Sequence, residues 1–112
     1  MKKIELYEPA MCCQTGICGP SIDPQLLEVA GIFDQINRSD QWQANRYNLA
    51  QNPQDFVENG TAIKMIHKNG KKCLPITFVE GEIVKSGEYP SLNEFEAFTG
   101  LSLNHVEGEI NA

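Results

Sequence analysis

Three of the chain's four cysteines fall within one seven-residue stretch: Cys12 and Cys13 are neighbours, and Cys18 follows a spacer that contains Gly16. Glycine tolerates the backbone angles that a tight curl needs, so three sulfurs in this arrangement can converge on one point. Thiolates select soft ions. Trivalent arsenic and antimony are soft and take three sulfurs in a pyramid, with a lone pair on the open side. Zinc asks for four ligands in a tetrahedron, and no fourth ligand is evident beside this stretch. The spacing also departs from the Cys-x-x-Cys pair of a thiol–disulfide oxidoreductase, in which one cysteine attacks and the other resolves. A disulfide between adjacent Cys12 and Cys13 would close a strained ring.

Composition narrows the setting for that chemistry. With 112 residues, 41% of them hydrophobic, the chain suits a single domain over residues 1–112. A chain of this size buries roughly two-thirds of its unfolded surface, so it needs no disulfide staples. Apolar runs are short and interrupted by charges, far from the ~20 residues that span a bilayer. The start, Met1-Lys2-Lys3-Ile4-Glu5-Leu6-Tyr7-Glu8, alternates polar and apolar residues and carries acids, unlike a signal peptide. The expectation is a cytoplasmic protein whose cysteines stay reduced. A net charge of −6 argues against phosphate neutralisation as the main source of affinity for any partner. Lys64, His67, Lys68, Lys71 and Lys72 are nevertheless dense enough to form a local basic patch.

The elements that must position the cysteines can be read from periodicity and turn chemistry. Ile4 to Tyr7 reads as a strand ending at Glu8-Pro9, followed by a loop out to Pro20 or Asp23. Asp23-Pro24 is a helix start, and Leu26, Val29, Ala30, Phe33 and Ile36 repeat on one face of the helix. Arg46 to Leu49, following Trp42, suggests a second strand, and Asn52-Pro53 opens a helical stretch through Phe56 and Val57. Ile63, Met65 and Ile66 belong to another helical segment, closed by Asn69-Gly70. Pro75 to Val79 and Glu82 to Lys85 are strands of a hairpin turning at Glu80-Gly81. Ser91 and Glu94 form a capping box for a last helix with Leu92, Phe95 and Phe98 on its apolar stripe. The pattern βαβαββα predicts an α/β, thioredoxin-like fold: a mixed four-stranded sheet with helices on both faces. The loop after the first strand then lies at the carboxyl edge of the sheet, where ligands bind in such folds.

The run Glu8-Pro9-Ala10-Met11-Cys12-Cys13-Gln14-Thr15-Gly16-Ile17-Cys18-Gly19 resembles the signature of the ArsD arsenical-resistance family. Tyr47-Asn48-Leu49-Ala50-Gln51, Leu74-Pro75 and Gly87-Glu88-Tyr89-Pro90 resemble its later segments in the same order. The resemblance implies a binding protein and not an enzyme: a metallochaperone that carries As(III) or Sb(III) as cargo and passes it to the ArsA ATPase of an efflux pump. It also implies a weak, metalloid-released repressor that binds ars operator DNA, and a homodimer. The family's three metalloid-binding cysteines match Cys12, Cys13 and Cys18. Further vicinal cysteine pairs found near the C-terminus of some members have no counterpart in Glu107-Gly108-Glu109-Ile110-Asn111-Ala112. The last ~10 residues read as a flexible tail.

Plainer readings stand beside these. The same architecture without the metalloid role would serve a thiol–disulfide oxidoreductase, the alternative from another class. Cys73 is isolated, two residues before Pro75, where a thioredoxin-like layout places a cis-proline loop beside its site; the plainer expectation is a packed thiol at a strand entry. His67 reads as a solvated helix residue, and His105 lies in a polar tail. Trp42, Phe78 and Phe95 read as core residues, and the lysine-rich stretch reads as a solvated face before it reads as a partner or DNA surface.

Overall fold

The structure is a computed structural model that describes residues 2–10 and 24–104. Four strands form one sheet: β1 (Lys2–Glu8), β2 (Trp42–Asn48), β3 (Ile76–Val79) and β4 (Glu82–Ser86), in the order β2-β1-β3-β4. β1 and β2 run parallel with Ile4 opposite Ala44 and Glu8 opposite Asn48, while β3 is antiparallel to both β1 and β4. The expected mixed sheet is present. β2 begins earlier than the Arg46 to Leu49 reading and ends one residue sooner. Its exposed Gln43 and half-buried Asn45 mask the alternation with buried Trp42, Ala44, Arg46 and Asn48.

Helices α1 (Pro24–Asn37) and α4 (Leu92–Thr99) cover one face of the sheet, and α2 (Pro53–Glu58) and α3 (Gly60–Asn69) the other. The period of two along β1 divides its side chains accordingly. Ile4 and Leu6 join Val29, Ile32, Phe33 and Ile36 of α1, Trp42 and Ala44 of β2 and Phe95 of α4. Tyr7 points the other way, into Phe56, Ala62, Cys73, Leu74, Ile76 and Phe78. Its ring lies 5.0 Å from that of Phe56 and 5.3 Å from that of Phe78, both edge-on. Each fully buried Phe of this kind is worth roughly 1.5–3 kcal/mol relative to exposure, so both faces need their helices. Within α1, Ile32 is buried while Leu26 and Ala30 are half-buried, which shifts the apolar stripe from the expected one.

The βαβαββα shorthand counts one helix between β2 and β3; the structure has two, matching the separate helical segments read from Asn52-Pro53 and around Ile63 to Ile66. Asn59 separates them: it caps α2 through its backbone, and its side chain accepts from the Ala62 amide to start α3. A single 3-10 turn, Lys71–Cys73, then leads to a cis Leu74–Pro75 peptide and β3. The hairpin turns where expected, with Glu80 at φ 53° and Gly81 at φ 84°, the left-handed pair that a two-residue hairpin turn requires. A bulge follows, since Thr77 pairs with Lys85 but Phe78 with Ile83, leaving Val84 as the extra residue. The Ser91–Glu94 capping box is formed in both directions.

Candidate functional site

The carboxyl ends of β1 and β2 lie side by side, and α1 packs on the face below them. Between the end of β1 and the start of α1 runs the cysteine stretch. Cys12, Cys13 and Cys18 lie outside the described residues, as do Asp23, His105 and the tail. The ground from which the stretch departs is described in full.

Glu8, the last residue of β1, has its side chain wholly buried. It continues the inward parity of Ile4 and Leu6, just as Arg46 continues that of Trp42 and Ala44, so the opposite charges meet on one face. Arg46 Nη2 donates to Glu8 Oε1 at 2.6 Å and Nε donates to Oε2 at 2.8 Å, the paired geometry that a planar guanidinium offers a carboxylate. Tyr89, in the chain leading to α4, donates its hydroxyl to Glu8 Oε1 at 2.8 Å. The Glu8 carbonyl accepts from the Leu49 amide at 3.3 Å. Beside it the buried Asn48 closes the turn after β2: its Oδ1 accepts from the amides of Ala50 and Gln51 at 3.0 and 2.9 Å.

Sequence reasoning missed this network. Its members sit in or beside the segments Glu8-Pro9, Tyr47 to Gln51 and Gly87 to Pro90, but their partnership joins positions 38 and 81 residues apart. The usable signal was the pair of opposite charges continuing the inward parity of two strands.

Cys73 is 6% exposed, lies among Tyr7, Phe56, Leu74 and Phe78, and forms no disulfide. Burial pushes its thiol up from the ordinary 9.0, which disfavours the thiolate needed for nucleophilic or ligand chemistry. Its carbonyl and that of Pro75 both accept from the Gly87 amide, at 2.8 and 3.0 Å. The packed-thiol reading therefore fits the surroundings of Cys73. Trp42, Phe78 and Phe95 are core residues, as expected.

On the opposite face an open cleft of about 400 Å³ is lined by Glu5, Tyr7, Tyr47, Asp55, Glu58 and Asn59. Burial, and then the charge of Glu5, pushes the Tyr47 hydroxyl up to about 12. Tyr7 is raised chiefly by burial, against a hydrogen bond from Asn59. Both remain neutral phenols at physiological pH. Among the described residues no His, Cys, Asp and Glu side chains cluster so as to hold a metal ion. His67 is exposed with Lys64, Lys68, Lys71 and Lys72 on α3 and the turn after it. No helix among the described residues is long and apolar enough to cross a membrane.

Comparison with known proteins bears on the whole chain. Residues 1–112 match the family described as "Arsenical resistance operon protein ArsD". An arsenical resistance operon trans-acting repressor from Escherichia coli is 36% identical over 106 residues, covering 95% of this chain and 88% of its own. A putative repressor of the same kind from Halobacterium salinarum is 38% identical over 94 residues, 84% of this chain and 87% of its own. The crystal structure of an arsenical resistance operon trans-acting repressor from Bacteroides vulgatus superposes with a TM-score of 0.83 at 40% identity, covering 93% of this chain and 97% of the other.

Proposed function

The chain belongs to the ArsD family, and from that premise we propose that it is an arsenic metallochaperone which captures As(III) or Sb(III) on Cys12, Cys13 and Cys18. It hands the ion to the ArsA-type ATPase of an arsenite efflux pump and acts as a weak, metalloid-released repressor of its operon. The working unit is a cytoplasmic homodimer of one thioredoxin-like domain. The strand order β2-β1-β3-β4, with helices on each face and a βαβ unit followed by a hairpin, supports that fold reading. The name borne by the relatives supports the repressor arm.

The observation that carries the capture reading is the position of three cysteines between the carboxyl end of a central strand and the amino end of the helix packed beside it. Cysteines near a helix N-terminus have lowered pKa values, and thiolate is the attacking form. Arsenite is neutral As(OH)3 at physiological pH. Each thiol that attacks arsenic forms one As–S bond, breaks one As–O bond and sends its proton out with the departing hydroxide as water. Three such exchanges convert As(OH)3 and three thiols into As(SR)3 and three waters, with no change in oxidation state and no net proton release from initially protonated thiols. Delivery is the same exchange with acceptor thiols displacing the donor sulfurs one at a time. Any operator contact draws on the exposed Lys64, Lys68, Lys71 and Lys72, the densest cationic stretch of an otherwise acidic chain.

The test is the stoichiometry of As(III) bound anaerobically by the wild type and by Cys12→Ser, Cys13→Ser, Cys18→Ser and Cys73→Ser. Tight binding of one ion is lost in each of the first three and kept in the last; retention in any of the first three removes that cysteine from the site. Release of bound ion that is no faster with acceptor thiols than without them ends the carrier reading. Gel shifts with operator DNA at fixed salt, with and without arsenite, test the repressor arm.

A further inference from the structure

We infer that Glu8, Arg46 and Tyr89 act as a positioning lock for the cysteine stretch, an inference that rests on the capture reading above. Glu8 stands four positions before Cys12. Its carboxylate is held from two directions, by the guanidinium of Arg46 on β2 and by the hydroxyl of Tyr89 from the chain entering α4, while its carbonyl takes the Leu49 amide. The direction in which the chain leaves β1 is thus set by side chains from three separate parts of the sequence.

Stability alone does not account for this arrangement. The desolvation of a buried ion pair can exceed its attraction, and well-packed apolar residues of similar volume often hold a sheet together as well. What a charged pair with fixed hydrogen-bond geometry supplies is directional definition. Here it lies at the carboxyl end of the sheet, on the face carrying α1, at the root of the stretch that returns to α1. Three-sulfur capture is sensitive to such definition. Once two sulfurs have bound, the third closes a ring, and its effective concentration depends on how narrowly the backbone is confined. A loosened root lowers that concentration without removing any ligand. Glu8, Arg46 and Tyr89 are therefore positioning residues that do not touch the ion themselves.

Tyr89→Phe removes one donor to Glu8 and keeps the ring that packs against the core. Glu8→Gln removes the charge. The control is Phe56→Leu, a core change in α2 on the opposite face of the sheet. Full-length protein is titrated anaerobically with arsenite, its thermal midpoint is measured, and sulfur neighbours of bound arsenic are counted by X-ray absorption. The wild type gives three sulfurs. Tyr89→Phe is expected to bind about five- to tenfold more weakly, with a sulfur count between two and three at subsaturating ion, whereas Phe56→Leu lowers the midpoint but keeps affinity and three sulfurs. Should Glu8→Gln fail to fold, Tyr89→Phe carries the test. Arsenite uptake by Tyr89→Phe with wild-type affinity and three sulfurs overturns the lock while leaving the capture reading intact. A wild type that takes up no arsenite overturns both.

Discussion

Asn37 and Ala44 exchange two hydrogen bonds: the Ala44 amide donates to Asn37 Oδ1 at 2.8 Å, and Asn37 Nδ2 donates to the Ala44 carbonyl at 2.9 Å. The side-chain amide, from the last residue of α1, thus takes the place of a neighbouring strand on the outer edge of β2. Four residues on, Asn52 does the same for Asn48: its Oδ1 accepts from the Asn48 amide at 3.1 Å, and its own amide donates to the Asn48 carbonyl at 2.7 Å. An edge strand is a template for pairing with other chains, and these two asparagines occupy it from within.

The first prediction follows from that geometry. Asn37→Ala strands the two edge groups of Ala44, which are only partly buried and can recruit water, so the expected loss is about 1–2 kcal/mol in the urea midpoint. The freed edge should also raise self-association in sedimentation velocity above the wild-type level. Unchanged midpoint and unchanged sedimentation would show that Asn37 does not guard the edge.

The second concerns the buried pair. Removing one member of such a pair leaves an uncompensated charge and costs about 3–5 kcal/mol, so Arg46→Met should be severely destabilised. Adding Glu8→Gln removes that charge while leaving an amide oxygen for Tyr89, and the double variant should recover at least half of the loss. Additive destabilisation of the two changes would mean that the carboxylate has found water or another cation.

Much of the fold was legible because its signals are local. Pro24 at the start of α1, the Glu80-Gly81 turn and the Ser91–Glu94 box each depend on residues a few positions apart, and each is where the sequence reading expects it. The cysteine spacing was equally local, although Cys12, Cys13 and Cys18 themselves lie outside the described residues. What escaped was built from distance. Arg46 reads as a polar interruption of β2 until Glu8, two strand positions past its register partner Leu6, supplies the countercharge. The two helices between β2 and β3 were legible as separate segments, but the residue that divides them was not, because Asn59 acts through a side-chain cap on Ala62 that only the folded chain brings into place.

The third prediction separates Cys73 from the other thiols. A thiol that is buried and whose pKa is raised by burial should react slowly with iodoacetamide at neutral pH, lagging its own rate in urea by about tenfold or more. Mass spectrometry of native protein, with and without one equivalent of arsenite, reads all four cysteines at once. Arsenite should protect Cys12, Cys13 and Cys18 and leave the slow Cys73 rate unaltered. Alkylation of Cys73 as fast in the native protein as in urea would show that it is not packed.

The last prediction concerns pH. Lys85 on β4 donates to both oxygens of Glu94 at 2.8 Å, and Glu94 Oε1 also accepts from the Ser91 amide at 2.9 Å. The Lys85 hydrogen bond, and after it the Ser91 amide, lowers the Glu94 carboxyl below 4.5, while the hydrogen bond to Glu94 raises Lys85 above 10.5. A depressed carboxyl pKa stabilises the fold above its unfolded value, and that contribution is lost as pH falls through the folded value. For the raised lysine the contribution is complete below its unfolded value and is lost as pH rises through the folded one. Glu94→Gln isolates the charge, because glutamine can still accept from the Ser91 amide in the capping box. The stability difference between wild type and Glu94→Gln should therefore be level between 4.5 and 10.5 and shrink on both sides. Added salt should reduce the plateau, since both groups are partly exposed. A difference that grows below pH 4.5 would place the stabilising interaction on the protonated acid and contradict the ion pair.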